Sequence, residues 1–272
     1  MNTLFPPFDP DPSEPKRRRF RAVPLRVLIP NFITLLSICS GITAIRLAVE
    51  GKLKYAVIAI AIAAALDGLD GRVARLLKGT SRFGAELDSL ADFVNFGCAP
   101  ALILYFWTLK DVGSTGTPGW IAALMFAVAM ALRLARFNAS LEDPLRPDWR
   151  KDYFVGMPAP AAAMTCLLPL YAVLAGMPKW PLFPQSVLVY TLIIAFFAVS
   201  TIPTFSFKRL GHLVPRENVM PIFVGFVFIV ALFVAYPFET LIALTIGYLG
   251  LIPFSVRRFK AQNAKAVLDL QS

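Results

Sequence analysis

Asp67, Asp70, Asp88 and Asp92 are the residues of this 272-residue chain whose types and spacing suit chemistry, because they stand between two strongly apolar runs. One Asp at the centre of a bilayer costs about 2.5 to 3.5 kcal/mol, so four near one membrane boundary need cations or a shared role. Asp67, Asp70, Ala74 and Arg75 recur every three or four residues and so occupy one face of a helix; Asp88 and Asp92 share a face in the same way. Gly71 and Gly84 remove side chains beside these carboxylates and let a bulky polar ligand come close. The chemical reading is a hard-cation site facing a phosphate. Helix capping accounts for one Asp per helix start, not for four. A transporter of divalent cations or protons is the competing class, but it would repeat its polar break in the other half of the chain, and the later spans have no second Asp cluster. A structural scaffold leaves the cluster unexplained.

The elements that must hold these carboxylates are membrane helices. Hydrophobic residues make up 57% of the chain, in runs too many and too long for a soluble domain. The fold class expected is an all-α polytopic membrane protein of about eight spans, at roughly 27–49, 55–69, 93–109, 120–132, 158–174, 186–202, 219–236 and 240–254. With the N-terminus inside, every Lys and Arg falls on the cytoplasmic side except Arg46, Lys52, Lys54, Lys110 and Lys179, which supports eight spans with both termini cytoplasmic. The Asp cluster then lies at the cytoplasmic end of spans two and three.

Residues 1–26 read as a disordered, proline-rich cytoplasmic arm whose Lys16, Arg17, Arg18, Arg19 and Arg21 meet anionic headgroups or fix topology. A catalytic transmembrane core at 27–202, two additional spans at 203–254 and a cytoplasmic tail at 255–272 complete the division. The net charge of +10 is spread among apolar runs and forms no basic face, so no nucleic-acid partner is expected. Cys39, Cys98 and Cys166 have no paired spacing and read as packing residues. His212 reads as a loop residue, and Asn138 as a helix cap in preference to a polar-substrate contact.

Asp67-x-x-Asp70-Gly71-x-x-Ala74-Arg75, then eight residues, then Gly84-x-x-x-Asp88-x-x-x-Asp92 matches each fixed position of the signature of the CDP-alcohol phosphatidyltransferases. The chain therefore resembles that family, whose six-helix core would cover about 27–202 and whose members displace CMP from a CDP-linked lipid with an alcohol. The run from Ser89 to Ala101, the Arg133-Leu-Ala-Arg136-Phe-Asn138 segment and Gly156-Met-Pro-Ala-Pro160 are similar to the bacterial integral-membrane members that use serine, although Asn95 replaces the Ser expected there. This resemblance implies CDP-diacylglycerol and L-serine as substrates, with glycerol 3-phosphate, inositol phosphate or choline as alternative acceptors. It implies Mg²⁺ or Mn²⁺, as two ions, on Asp67, Asp70, Asp88 and Asp92, with Asp92 also the general base in a direct displacement. Gly71, Arg75 and Ser81 suit the CDP-diacylglycerol diphosphate, and the resemblance adds Asn31 and Thr34. Arg133 and Arg136, one turn apart, suit the serine carboxylate or serve as positive-inside anchors. A homodimer among membrane lipids in the bacterial inner membrane, its active site open to the cytoplasm, completes the expectation.

Overall fold

The computed structural model describes residues 25–141, 153–205 and 216–269. The basic arm at 16–21, Arg146, Arg150, Lys151, Lys208, Arg209 and His212 lie outside the described residues. Helices α1 (Leu25–Val49) and α2 (Leu53–Leu76) are followed by α3 (Arg82–Asp92), which runs through a π-helical turn (Phe93–Cys98) into α4 (Ala99–Trp107). Then come α5 (Thr117–Leu141), α6 (Ala159–Cys166), α7 (Leu168–Leu174), α8 (Phe183–Val199), α9 (Arg216–Ala235) and α10 (Pro237–Asp269). Two short strands, β1 (Tyr153–Val155) and β2 (Pro203–Phe205), pair antiparallel with Tyr153 opposite Phe205. The spans are all-α, as expected; the strand pair is an addition that lies between them.

Among the described residues, four helical stretches are long and apolar enough to cross a membrane: Leu25–Val49, Arg82–Trp107, Thr117–Ala139 and Pro237–Phe259. Phe183–Val199 and Val219–Ala235 are shorter apolar helices. The α2 rod carries Asp67, Asp70, Arg72 and Arg75 in its last turns, and the fifth expected span is divided between α6 and α7 at Leu167.

The Asp-bearing helix is held by α1. The buried residues of α1, Pro30, Thr34, Ser37, Gly41, Ala44 and Ala48, recur alternately every four and three positions, the seam of a left-handed helix pair. Facing them are Ala56, Ala59 and Ala63 of α2. In lipid the hydrophobic effect does not join helices, so small side chains that allow close approach and hydrogen bonds between helices do so. Ser37 Oγ donates to the Ala63 carbonyl at 2.9 Å, and Ser40 Oγ to the Ala59 carbonyl at 2.8 Å. Asn95, fully buried in the π-helical turn, donates through Nδ2 to Ser37 Oγ at 2.7 Å and links a third helix to the pair. Its side chain lies against Gly41, where any Cβ would collide with it.

The turn from α2 to α3 is equally specified. Lys78 has a φ of 49°; its N–H bonds the Arg75 carbonyl at 3.2 Å, and the Gly79 N–H bonds the Ala74 carbonyl at 2.9 Å. This is a Schellman ending with a lysine at the left-handed position. Pro30 has no N–H to offer the Arg26 carbonyl one turn earlier in α1, and Gly79 packs against that carbonyl with no room for a side chain. Ser81 then caps α3, its Oγ accepting from the Gly84 N–H at 3.0 Å.

Candidate active site

The tight turn folds the start of α3 back against α1 and α2, and a cavity of about 470 Å³ opens between them. Asn31 and Thr34 line it from α1, Gly71 and Arg75 from α2, and Ser81 from the turn. These five residues, expected to contact the lipid nucleotide, thus share one chamber with Asp70 and Asp88. A Cβ at Gly71 would meet nothing within 4 Å, so this glycine leaves open space at the cavity wall. Gly84 differs: a Cβ there would come within 2.9 Å of Asn31 Oδ1 and 3.1 Å of Ser81 Oγ, so its absence keeps both polar groups in place. Ser81 uses an oxygen lone pair as cap, which leaves its hydroxyl hydrogen able to turn into the cavity. Arg75 is exposed on the wall, and neither ion pair among the described residues involves it.

Asp67 and Asp92 lie one helical turn further into the bundle than Asp70 and Asp88. Asp70 is buried, and its Oδ2 accepts from Thr34 Oγ1 at 2.6 Å. Asp67 and Asp92 stand side by side within hydrogen-bonding reach, and Asp88 and Asp70 are near enough to add their charge. Asp67 Oδ1 and Asp70 Oδ1 are buried without a partner. Two carboxylates in contact, with partnerless oxygens out of water, require a proton or a cation between them. The donor set, oxygen alone, is the one hard divalent ions take. Among the described residues these carboxylates face one another without closing around a common point, so a cation would draw them in. The chemistry of the residues fits such an ion.

Arg133 and Arg136, neighbours on α5, are drawn in different directions. Arg133 is buried beside Asp92, and its Nε donates to the Met157 carbonyl. Arg136 spans the end of α8, Nη1 donating to the Val199 carbonyl at 2.7 Å and Nη2 to the Ser200 carbonyl at 3.1 Å. It satisfies carbonyls that the helix end leaves unpaired. Asn138 caps nothing, contrary to expectation; it sits inside α5 and its Nδ2 donates to Ser89 Oγ on α3 at 3.0 Å. The capping reading failed because α5 continues to Leu141. Sequence reading also passed over Ser37, and it noted Asn95 only as a replacement for an expected Ser; the available signal was their polarity inside otherwise apolar runs.

The fold and this chamber define an integral-membrane helical bundle that gathers four carboxylates beside a cavity with Arg75 on its wall, at the end of its first three rods. The family model described as CDP-alcohol phosphatidyltransferase matches residues 27–200, and a second, described as CDP-alcohol phosphatidyltransferase 2, matches residues 217–253. The chain belongs to the CDP-alcohol phosphatidyltransferase family. It is similar to a Mycobacterium leprae protein named CDP-diacylglycerol–serine O-phosphatidyltransferase, 41% identical over 93% of this chain and 82% of that protein. A Mycobacterium bovis protein of the same name is 52% identical over 56% of this chain and 51% of its own length. One from Methanocaldococcus jannaschii, again of that name, is 32% identical over 66% of this chain and 87% of its own.

Proposed function

We propose that this protein transfers the phosphatidyl group of CDP-diacylglycerol to L-serine, releasing CMP and forming phosphatidylserine. The observation that carries the reading is the single chamber in which Asp70 and Asp88 meet Arg75 and Ser81. Anionic and cationic groups on one wall suit a diphosphate bound through cations on one side and a guanidinium on the other. Relatives named for this reaction, similar over most of the chain, point to serine as the acceptor.

In this mechanism Arg75 forks onto the diphosphate, Ser81 donates its hydroxyl hydrogen to it, and the open wall at Gly71 admits the phosphates to the α2 backbone. Asn31 and Thr34 line the nucleotide side, and Thr34 also holds the Asp70 carboxylate in orientation through its hydrogen bond. Mg²⁺ or Mn²⁺ bound by Asp67, Asp70, Asp88 and Asp92 would neutralise the diphosphate and make CMP a better leaving group. A serine hydroxyl is a weak nucleophile at neutral pH, so Asp92 takes its proton as the oxygen attacks phosphorus and the bond to the CMP oxygen breaks. No covalent enzyme intermediate is required. Residues 27–202 form the catalytic core, the chamber opens to the cytoplasm, and lipid tails enter sideways between rods in the inner membrane. The apolar faces of the rods suit a homodimer.

The test is CMP release by purified protein with CDP-diacylglycerol and Mn²⁺ or Mg²⁺, given serine, glycerol 3-phosphate, inositol phosphate or choline in turn. Serine-dependent release is expected, and Asp92→Asn should lower it by about 10²- to 10⁴-fold, the range of a general base. Release with a different alcohol keeps the displacement and replaces the acceptor; release with none removes the reading.

A further inference from the structure

Asn95 is fully buried three residues after Asp92, and the two ends of its amide are used differently. Nδ2 donates to Ser37 Oγ at 2.7 Å, whereas Oδ1 has no hydrogen-bond partner and lies where a side chain at Gly41 would begin. A buried acceptor left unpaired costs at least as much as one bond returns, so stability does not explain this amide. Its bond leads toward the carboxylates. Ser37 passes its own hydroxyl hydrogen to the Ala63 carbonyl at 2.9 Å, and Ala63 stands one helical turn before Asp67 on α2. The chain Asn95–Ser37–Ala63 therefore ties the helix that carries Asp92 to the helix that carries Asp67, by way of α1. One turn earlier on α1, Thr34 donates to Asp70 Oδ2 at 2.6 Å, so α1 holds one carboxylate directly and braces two others from behind. The π-helical turn makes this possible. In a regular α-helix Asn95 would lie only about 60° around the axis from Asp92. The Phe93–Cys98 turn, closed by the Ala99 N–H on the Val94 carbonyl, advances less per residue and lets Asp92 face Asp67 while Asn95 faces α1.

We propose that Asn95 is a positioning residue: through Ser37 and Ala63 it fixes the separation of Asp92 and Asp67 at which the two carboxylates can share a divalent cation. The inference rests on the metal-assisted reaction proposed above, and it gives Asn95 no contact with substrate or cation. Partners one bond removed from metal ligands set affinity by holding those ligands in orientation. Gly41 belongs to the same arrangement, because only a residue without a Cβ leaves room for the amide.

The test titrates full-length protein in detergent with Mn²⁺, in the presence of CDP-diacylglycerol and without acceptor, and reads the bound ion by electron paramagnetic resonance; thermal unfolding is followed on the metal-free protein. Asn95→Ala should weaken Mn²⁺ binding roughly tenfold or more, the range for such partners, and lower kcat at saturating Mn²⁺ with the serine KM unchanged. Ser37→Ala cuts the same chain and should weaken Mn²⁺ binding to the same degree, with no further loss when the two are combined. Asn95→Ala with Gly41→Ala refills the emptied volume, so the unfolding midpoint should return toward that of the wild type while the Mn²⁺ affinity stays low. Unchanged Mn²⁺ affinity in Asn95→Ala, or affinity that follows the unfolding midpoint across these variants, overturns the role of Asn95 and leaves the reaction standing. Wild-type protein that binds Mn²⁺ and releases no CMP with serine overturns the reaction alone. Wild-type protein that binds no Mn²⁺ overturns the metal site and this inference together.

Discussion

At the scale of single residues, the site separates groups that hold charge from groups that make room. Gly71 belongs to the second kind. In a helix interior glycine is less stable than alanine by about 0.5 to 1 kcal/mol, and nothing near Gly71 would obstruct a methyl group. Gly71→Ala should therefore leave the protein as stable or more stable, while lowering kcat/KM for CDP-diacylglycerol at least about tenfold by narrowing the wall where the phosphates approach. Thermal unfolding beside a substrate titration checks both halves, and a variant with full activity would remove Gly71 from the binding wall. Residues of this kind were legible in the sequence because Asp67, Asp70, Gly71 and Arg75, or Gly84, Asp88 and Asp92, lie within a few turns of one another and their facing follows from helical periodicity. Arg136, Asn138 and Tyr248 were not legible in the same way. Their partners are the carbonyls at the end of α8, Ser89 and Thr204, all far away in sequence.

At the scale of elements, the site depends on how α2 ends and α3 begins. The Schellman turn places Lys78 in the left-handed region, which costs a residue with a Cβ about 1 kcal/mol relative to glycine. Lys78→Gly should raise stability by up to about 1 kcal/mol, measured as a higher unfolding midpoint in detergent, with the chamber unchanged. A lower midpoint would mean that the lysine side chain itself supports the turn. The rods were readable from apolar run length, whereas the α2–α3 turn, whose left-handed residue is a lysine instead of the usual glycine, was not read. The π-helical turn was not, because α and π turns have the same composition and differ by where one residue is accommodated. Such turns often accompany functional sites; here it begins directly after Asp92 and buries Asn95 against Ser37 and Gly41. The strand pair was hidden for another reason. Three residues are too few for alternation to show, and Pro203 argues against a strand except at an edge.

At the scale of the whole molecule, the positions of charge and aromatic groups mark two boundaries. Lys179 lies 5.1 Å from the Trp107 ring centroid, Trp107 packs edge-on against Phe183, and Tyr105 packs edge-on against Trp120. These groups come from the ends of α4 and α8 and the start of α5 that lie away from the carboxylates, as an aromatic belt at a lipid–water interface would. Arg46 and Lys52, among the few basic residues at that end, both bind Glu50, at 2.7 and 2.9 Å. The opposite end carries Arg72, Arg75, Lys78 and Arg82 around the chamber. The proposed orientation, with the chamber inside, rests on the preference of Lys and Arg for cytoplasmic loops. Single cysteines at Lys78, Lys110 and Lys179, in a background lacking Cys39, Cys98 and Cys166, should separate cleanly under a membrane-impermeant maleimide. Positions 110 and 179 should label in intact spheroplasts and position 78 only after permeabilisation. Labelling of position 78 from outside would invert the molecule and place the chamber away from the cytosolic nucleotide pool. Labelling of only one of positions 110 and 179 would mean that one of the two elements between them, α5 or the α6–α7 rod, does not cross.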